Sequence, residues 1–267
     1  MQADAIQTFD NLPSNLYSDE PGMESDRHLQ QMLVLISSLE LLWQDRNDFY
    51  LSGNITVYYD LKKIETRDFR GPDFMVALDV ERYPRRSWSL WEEGGKYPNL
   101  VVEILSESTA DIDRNAKKEF YQDTFRIIEY FWVDPDTQEF EGFFILGGSY
   151  QPILPNELGH RWSQQLQLFL GIYNSQLRYF TPEGQLVPTP VEAAQAAQQE
   201  AKAAQQEAQT AQQEAQTAQQ EAQTAQQAAQ AAQQEAQAAQ QAVQETQRRN
   251  DQLAAKLRDL GIDPSTL

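Results

Sequence analysis

Two carboxylates stand where carboxylates are costly. Asp73 opens the run "DFMVALDV" directly after Pro72, and Glu103 sits inside the run "NLVVEIL". An ionised carboxylate in an apolar strand loses its hydration, which is tolerable only when a cation or hydrogen-bond donors replace the water. If the two runs pair as strands, both carboxylates project to one side near one end. Two such groups close together resist joint ionisation. A hard divalent cation removes that conflict, because Mg²⁺ is held through one or two carboxylates plus waters. A basic residue nearby can then position a metal-activated water, and Lys117 and Lys118 lie one predicted helix later. The simpler reading of the same residues is a buried Glu paired to Arg or Lys, with Asp73 capping a turn.

The elements that must position these groups follow from local pattern. Pro21 and Gly22 break the chain, Ser25 or Asp26 can cap a helix, and Leu29, Leu33, Ile36, Leu39 and Leu42 recur at helical spacing. After the Gly53-Asn54 turn signal, "ITVYY" reads as a strand. "NLVVEIL", apolar except for Glu103, reads as a central strand buried on both faces. "SESTADIDRNAKKEFYQDTF" reads as a capped helix, "IIEYFWVD" as a strand stopped by Pro135, and "EFEGFFIL" with "YQPIL" as a hairpin turning at Gly147-Gly148. "LQLFLGIYNSQLRYFTPEG" closes the domain as a second hairpin-like pair. The order predicts an α/β or α+β layer built on a mixed sheet.

Composition narrows the function classes. The 267 residues contain no cysteine, so disulfides, thiolate metal sites and cysteine nucleophiles are excluded. Only two histidines, His28 and His160, are present, so a site built on several histidines is excluded too. The absence of an apolar leader and of any membrane-length apolar run predicts a soluble, cytoplasmic protein with no membrane partner. The net charge of -19 argues against a broad nucleic-acid footprint and leaves "RYPRR" (Arg82, Arg85, Arg86) and Lys117–Lys118 as candidate basic patches, ordinary solvated charges being the other reading. Trp88, Trp91 and Trp132 read as packing residues rather than base-stacking platforms.

Beyond residue 190 Ala, Gln and Glu dominate, and "AQQEAQT" recurs with a period of seven. Ala201, Ala208 and Ala215 share one heptad position and Ala204, Ala211 and Ala218 another three residues on, which is the a/d seam of a coiled coil. The register continues to Asn250, Leu253, Leu257 and Leu260, ahead of Gly261. A helix over this stretch would be roughly 105 Å long. An a-position Asn favours two parallel strands, so a homodimer clasped at the Leu end is expected. A lone exposed helix is the other reading.

"GPD", "VVEILSEST", "DRNAKKEFY" and "IEYFWVDP", in that order, resemble the Uma-two family of endonucleases within the PD-(D/E)XK nuclease superfamily. The resemblance covers about residues 20–185 and implies a restriction-endonuclease-like core, with a mixed central sheet flanked by helices. It implies Asp73 and Glu103 as ligands of Mg²⁺ or Mn²⁺, Lys117 with Tyr121 as the helix-borne pair replacing the superfamily's lysine, and DNA as substrate. The superfamily's own lysine position falls on Leu105. Lys118 is the alternative to Lys117, and Glu24 and His28 match acidic and histidine positions on the metal side. The expected partition is 1–19 as an N-terminal segment, 20–185 as the nuclease-like domain, 186–260 as the heptad helix and 261–267 as a tail. A rival reading, favoured by Leu105 and the acidic charge, is a non-catalytic interaction or scaffold protein oligomerised by its helix.

Overall fold

The computed structural model describes residues 13–18, 25–60, 71–106 and 112–259, with backbone alone at 112–114. The chain divides into two compact units, Met1–Gln195 and Ala196–Leu267. In the first, α1 (Asp26–Leu42) leads into β1 (Phe49–Gly53), β2 (Val57–Tyr58), β3 (Phe74–Leu78), β4 (Trp88–Ser89) and β5 (Leu100–Ile104). A helical stretch over 112–125, α2, follows. Then come β6 (Glu129–Val133), β7 (Phe140–Leu146), β8 (Ser149–Pro152), β9 (Arg161–Ser163), β10 (Leu168–Tyr173) and β11 (Gln176–Phe180). Last is α3 (Pro190–Asp259).

The main sheet is mixed, in the order β1-β3-β5-β6-β7-β8. Only β5 and β6 run parallel, as their connection through α2 requires. Alternation along the strands splits the core in two. Phe74, Val76, Val102, Ile104 and Phe131 meet Leu35 and Leu39 of α1 and Leu170 and Tyr179 of the antiparallel sheet β11-β10-β9. Met75, Ala77, Val101, Tyr130 and Trp132 meet Tyr121 and Phe125 of α2, with Val57 and Trp88 of the small parallel pair β2-β4. Glu103 shares the pleat of Val101 and so faces the α2 side.

A buried carboxylate ties the two sheets together. Glu129, at the start of β6, accepts hydrogen bonds from the Ser163 hydroxyl and from the N–H groups of Gln164 (2.7 Å) and Gln165 (3.2 Å). Burial raises its pKa despite those donors.

The α1 face differs from its apolar spacing. Leu29, Leu33 and Leu42 are exposed, at 37%, 50% and 42%. The buried face is His28, Gln31, Met32, Leu35, Ser38 and Leu39. Two of its polar residues, Gln31 and His28, have partners at distant strands. The Gln31 amide donates to the Leu177 carbonyl (3.0 Å) and accepts from the Leu177 N–H (2.8 Å), docking α1 on β11. The strand expected over "ITVYY" is reduced to the two residues of β2, and the preceding Phe49–Gly53 forms the edge strand β1 instead.

α3 begins at a capping box. The Glu192 carboxylate accepts the Thr189 N–H (2.8 Å), and the Thr189 hydroxyl accepts the Glu192 N–H (3.3 Å), with Pro190 in the first helical turn. The buried Arg178 of β11 grips the same carboxylate through two nitrogens, at 3.0 and 2.5 Å. Its hydrogen bond, with smaller contributions from the Thr189 backbone and the guanidinium charge, brings the Glu192 pKa down to about 2. The helix runs 70 residues with no buried side chain.

Two outcomes follow. Gln31→Ala strands two buried backbone groups of Leu177 and should cost roughly 2 kcal/mol, read as a lowered urea midpoint at unchanged m-value; a midpoint equal to wild type would contradict the docking role. Glu192 has a depressed folded pKa, so its contribution is complete above the ordinary value of 4.5 and is lost as pH falls through about 2. The stability gap between wild type and Glu192→Gln should therefore shrink across that window and stay constant from pH 5 to 8.

Candidate active site

The β3–β5 register sets Phe74 opposite Val102, which carries Asp73 to the position opposite Glu103. Both carboxylates thus meet at one end of the sheet. Glu103 is wholly buried. Its Oε1 accepts the Tyr121 hydroxyl (2.6 Å) and its Oε2 lies 2.9 Å from the Lys117 ammonium. Lys117 and Tyr121 are four residues apart and therefore stand on one helix face. Around them α2 is under-wound into wide π-type turns at Ile112–Lys117 and Tyr121–Phe125, a distortion that often accompanies functional side chains. Arg126, in the left-handed region at φ 51°, ends the helix.

Asp73 is held from two other directions. Its Oδ2 accepts the Ile104 N–H (2.7 Å), and its Oδ1 lies 3.1 Å from His28 Nε2. The Ser25 hydroxyl that caps α1 accepts the His28 N–H (3.2 Å), fixing the residue that carries this imidazole. Burial works against ionisation of Asp73, but the His28 hydrogen bond and charge, with the Lys117 ammonium beside them, outweigh it, and its pKa falls below the ordinary value. Tyr121 shows the opposite response. Burial first, then the Glu103 charge, pushes its hydroxyl pKa far up, so it stays a donor.

Asp73, Glu103, Lys117, Tyr121 and His28 therefore share one cluster. Lys118 does not join it. Its ammonium lies 3.5 Å from the centre of the Phe143 ring on β7, and burial lowers its pKa against the pull of Glu141. Glu24 lies outside the described residues. Leu105, at the position of the superfamily's lysine, is 3% exposed and packs in the α2-side core. His160 stacks on Phe180 at 4.0 Å, away from the cluster. Trp88 and Trp132 are buried, and Trp91 donates to the Pro13 carbonyl (2.8 Å).

The "RYPRR" segment does not form an open cationic patch. Arg85 is buried against Glu93, with its Nε 2.6 Å from the carboxylate, and Arg82 pairs with Glu40. Arg86 stands 4.5 Å over the Tyr17 ring. Internal carboxylates thus neutralise two of the three charges that a basic patch would need.

Asp73 and Glu103 fit a hard cation by chemistry: they are two adjacent carboxylates, one of them wholly buried, and a carboxylate oxygen can serve more than one partner. Among the described residues no three His, Cys, Asp or Glu side chains are gathered as a ligand set, so a cation here would complete its shell with water or backbone oxygen.

A mixed sheet flanked by helices, with two carboxylates meeting at the end of its central strands, defines the architecture. Residues 16–173, more than half of the chain, match the model of the Uma2 family, described as "Putative restriction endonuclease", and the chain belongs to that family. Among solved structures it is similar to one titled a "putative nuclease belonging to DUF820" from Anabaena variabilis. The identity is 14%, over 52% of this chain and 73% of that one, at a TM-score of 0.37. No curated protein matches the chain. Among the described residues no helix is long and apolar enough to cross a membrane.

Tyr121→Phe deletes a hydrogen bond to a buried charge and should cost about 2 kcal/mol. Thermal denaturation at neutral pH measures this, and an unchanged midpoint would mean that Glu103 does not depend on Tyr121.

Proposed function

We propose that the protein is a divalent-metal-dependent endonuclease that hydrolyses DNA phosphodiester bonds at the Asp73–Glu103 cluster. The observation that carries this reading is the adjacency of the two carboxylates, with Lys117 at Glu103 and His28 at Asp73. Asp73 and Glu103 would hold the cation. Bound there, Mg²⁺ or Mn²⁺ supplies a Lewis acid that acidifies water and offsets phosphate charge.

The chain's own groups have separable tasks. Tyr121 and Lys117 fix both oxygens of Glu103, and the Ile104 N–H and His28 orient Asp73. Lys117, 22% exposed, presents its ammonium at the carboxylate pair. There it meets the negative charge that grows on the phosphate oxygens as water bonds to phosphorus and the ester P–O bond breaks. The attacking water gives up a proton to solvent, and the departing oxygen leaves with a proton taken from solvent.

A second reading has specific support: a nuclease-like protein that binds without cutting and acts through its long helix. Leu105 fills the superfamily's lysine position, and "RYPRR" is largely neutralised within the chain. Calorimetric titration with Mn²⁺, paired with a cleavage assay on supercoiled DNA, separates the two. Asp73→Ala should abolish metal binding, and Glu103→Gln should lower metal-dependent cleavage by about 100-fold or more with the circular dichroism unchanged. Wild-type protein that binds no Mn²⁺ and cuts no DNA would leave the second reading standing.

A further inference from the structure

α3 is continuous from Pro190 to Asp259 and buries none of its side chains, although Val243 is 69% and Leu253 57% exposed on its heptad seam. Its start is fixed by Thr189, Arg178 and Glu192, and the first compact unit ends at Gln195. Residues 196–259 are therefore a preformed helical stretch with an unpartnered seam.

We infer that the occupant of this seam is the same helix of a second copy, running antiparallel over the whole stretch. Three features select this arrangement. The first is size. A parallel pair sets Leu253 on Leu253 but Ala208 on Ala208, so the helices must stand apart at one end and close together along the rest. In the antiparallel register every large seam residue meets Ala: Leu253 faces the partner's Ala201, and Val243 faces the partner's Ala211. One narrow spacing then serves the full length.

The second feature is charge. The positions flanking the seam carry Glu200 and Glu207 near the start of the helix and Arg249 and Lys256 near its end. Antiparallel pairing puts the partner's Lys256 beside Glu200 and the partner's Arg249 beside Glu207, twice by symmetry. Glu221 beside the partner's Glu235 is the like-charged exception. A parallel pair forms none of these attractive contacts and gathers both helix starts, with the acidic residues before them, at one end.

The third feature is length. The heptad register that centres near residue 227 overlaps residues 196–259 of both copies almost completely, so nearly the whole seam is covered. Asn250 alone favours a parallel pair. Set against the partner's Ala204 in a narrow seam, its amide reaches water at the edge, and size and charge decide the direction.

The chain has no cysteine, so introduced ones report without interference. Ala208 and Thr246 share a layer in the antiparallel register. Full-length protein should sediment at twice the 30.6 kDa chain mass at micromolar concentration. Under mild oxidation, a mixture of Ala208→Cys and Thr246→Cys chains should give a mixed disulfide dimer, and either variant alone should give none. Charge reversal at Arg249 and Lys256 should raise the dimer dissociation constant about tenfold, and reversal at Glu200 and Glu207 on the same chain should restore it. A monomer at micromolar concentration overturns the proposal, and so does self-crosslinking by each variant alone, which is the parallel outcome. These readouts are independent of DNA cleavage.

Discussion

Everything at the candidate site depends on keeping one carboxylate charged inside the sheet. Glu103 is wholly buried on a central strand, and a lone charge there is untenable. Lys117 and Tyr121 make it tolerable, and both come from α2. The parallel β5–β6 pair needs a crossover, the crossover is a helix, and that helix supplies the two groups that Glu103 needs. Topology and electrostatics therefore impose a single arrangement. A buried charge pair contributes little net stability once desolvation is counted, so its presence at a sheet end is better explained by chemistry than by folding.

Asp73 is arranged on a different principle. It sits just before β3, where Pro72 needs no ladder hydrogen bond, and it takes its donors from a neighbouring strand and from α1. One carboxylate is thus held by α2 and the other by α1, from opposite faces of the sheet. The site forms only when both layers are packed. This gives the polar face of α1 its purpose: Gln31 docks the helix on β11, and His28, three residues before it, reaches Asp73.

Much of this was legible in the residues. Glu103 stands out as the one charge in an apolar run, and the mixed sheet follows from the order of the runs. The four-residue spacing of Lys117 and Tyr121 places both on one helix face, but which of Lys117 and Lys118 turns inward depends on the winding of α2 and on the Phe143 ring that receives Lys118. The misreadings share a cause. Apolar spacing marked Leu29 and Leu33 on α1, because a buried Gln or His looks like surface until its partner on a distant strand is known. "RYPRR" looked like a cationic patch because Glu93 and Glu40 are remote from it in pattern or in sequence. Long-range polar pairing leaves no periodic trace.

The central claim is that Asp73 and Glu103 together form a cation site. Crystals soaked in Mn²⁺ and measured for anomalous scattering test it most directly. The account predicts a peak in contact with both carboxylates, with the Lys117 ammonium shifted away from Glu103. Crystals that show no peak there at millimolar Mn²⁺, with Lys117 still on Glu103, would contradict it.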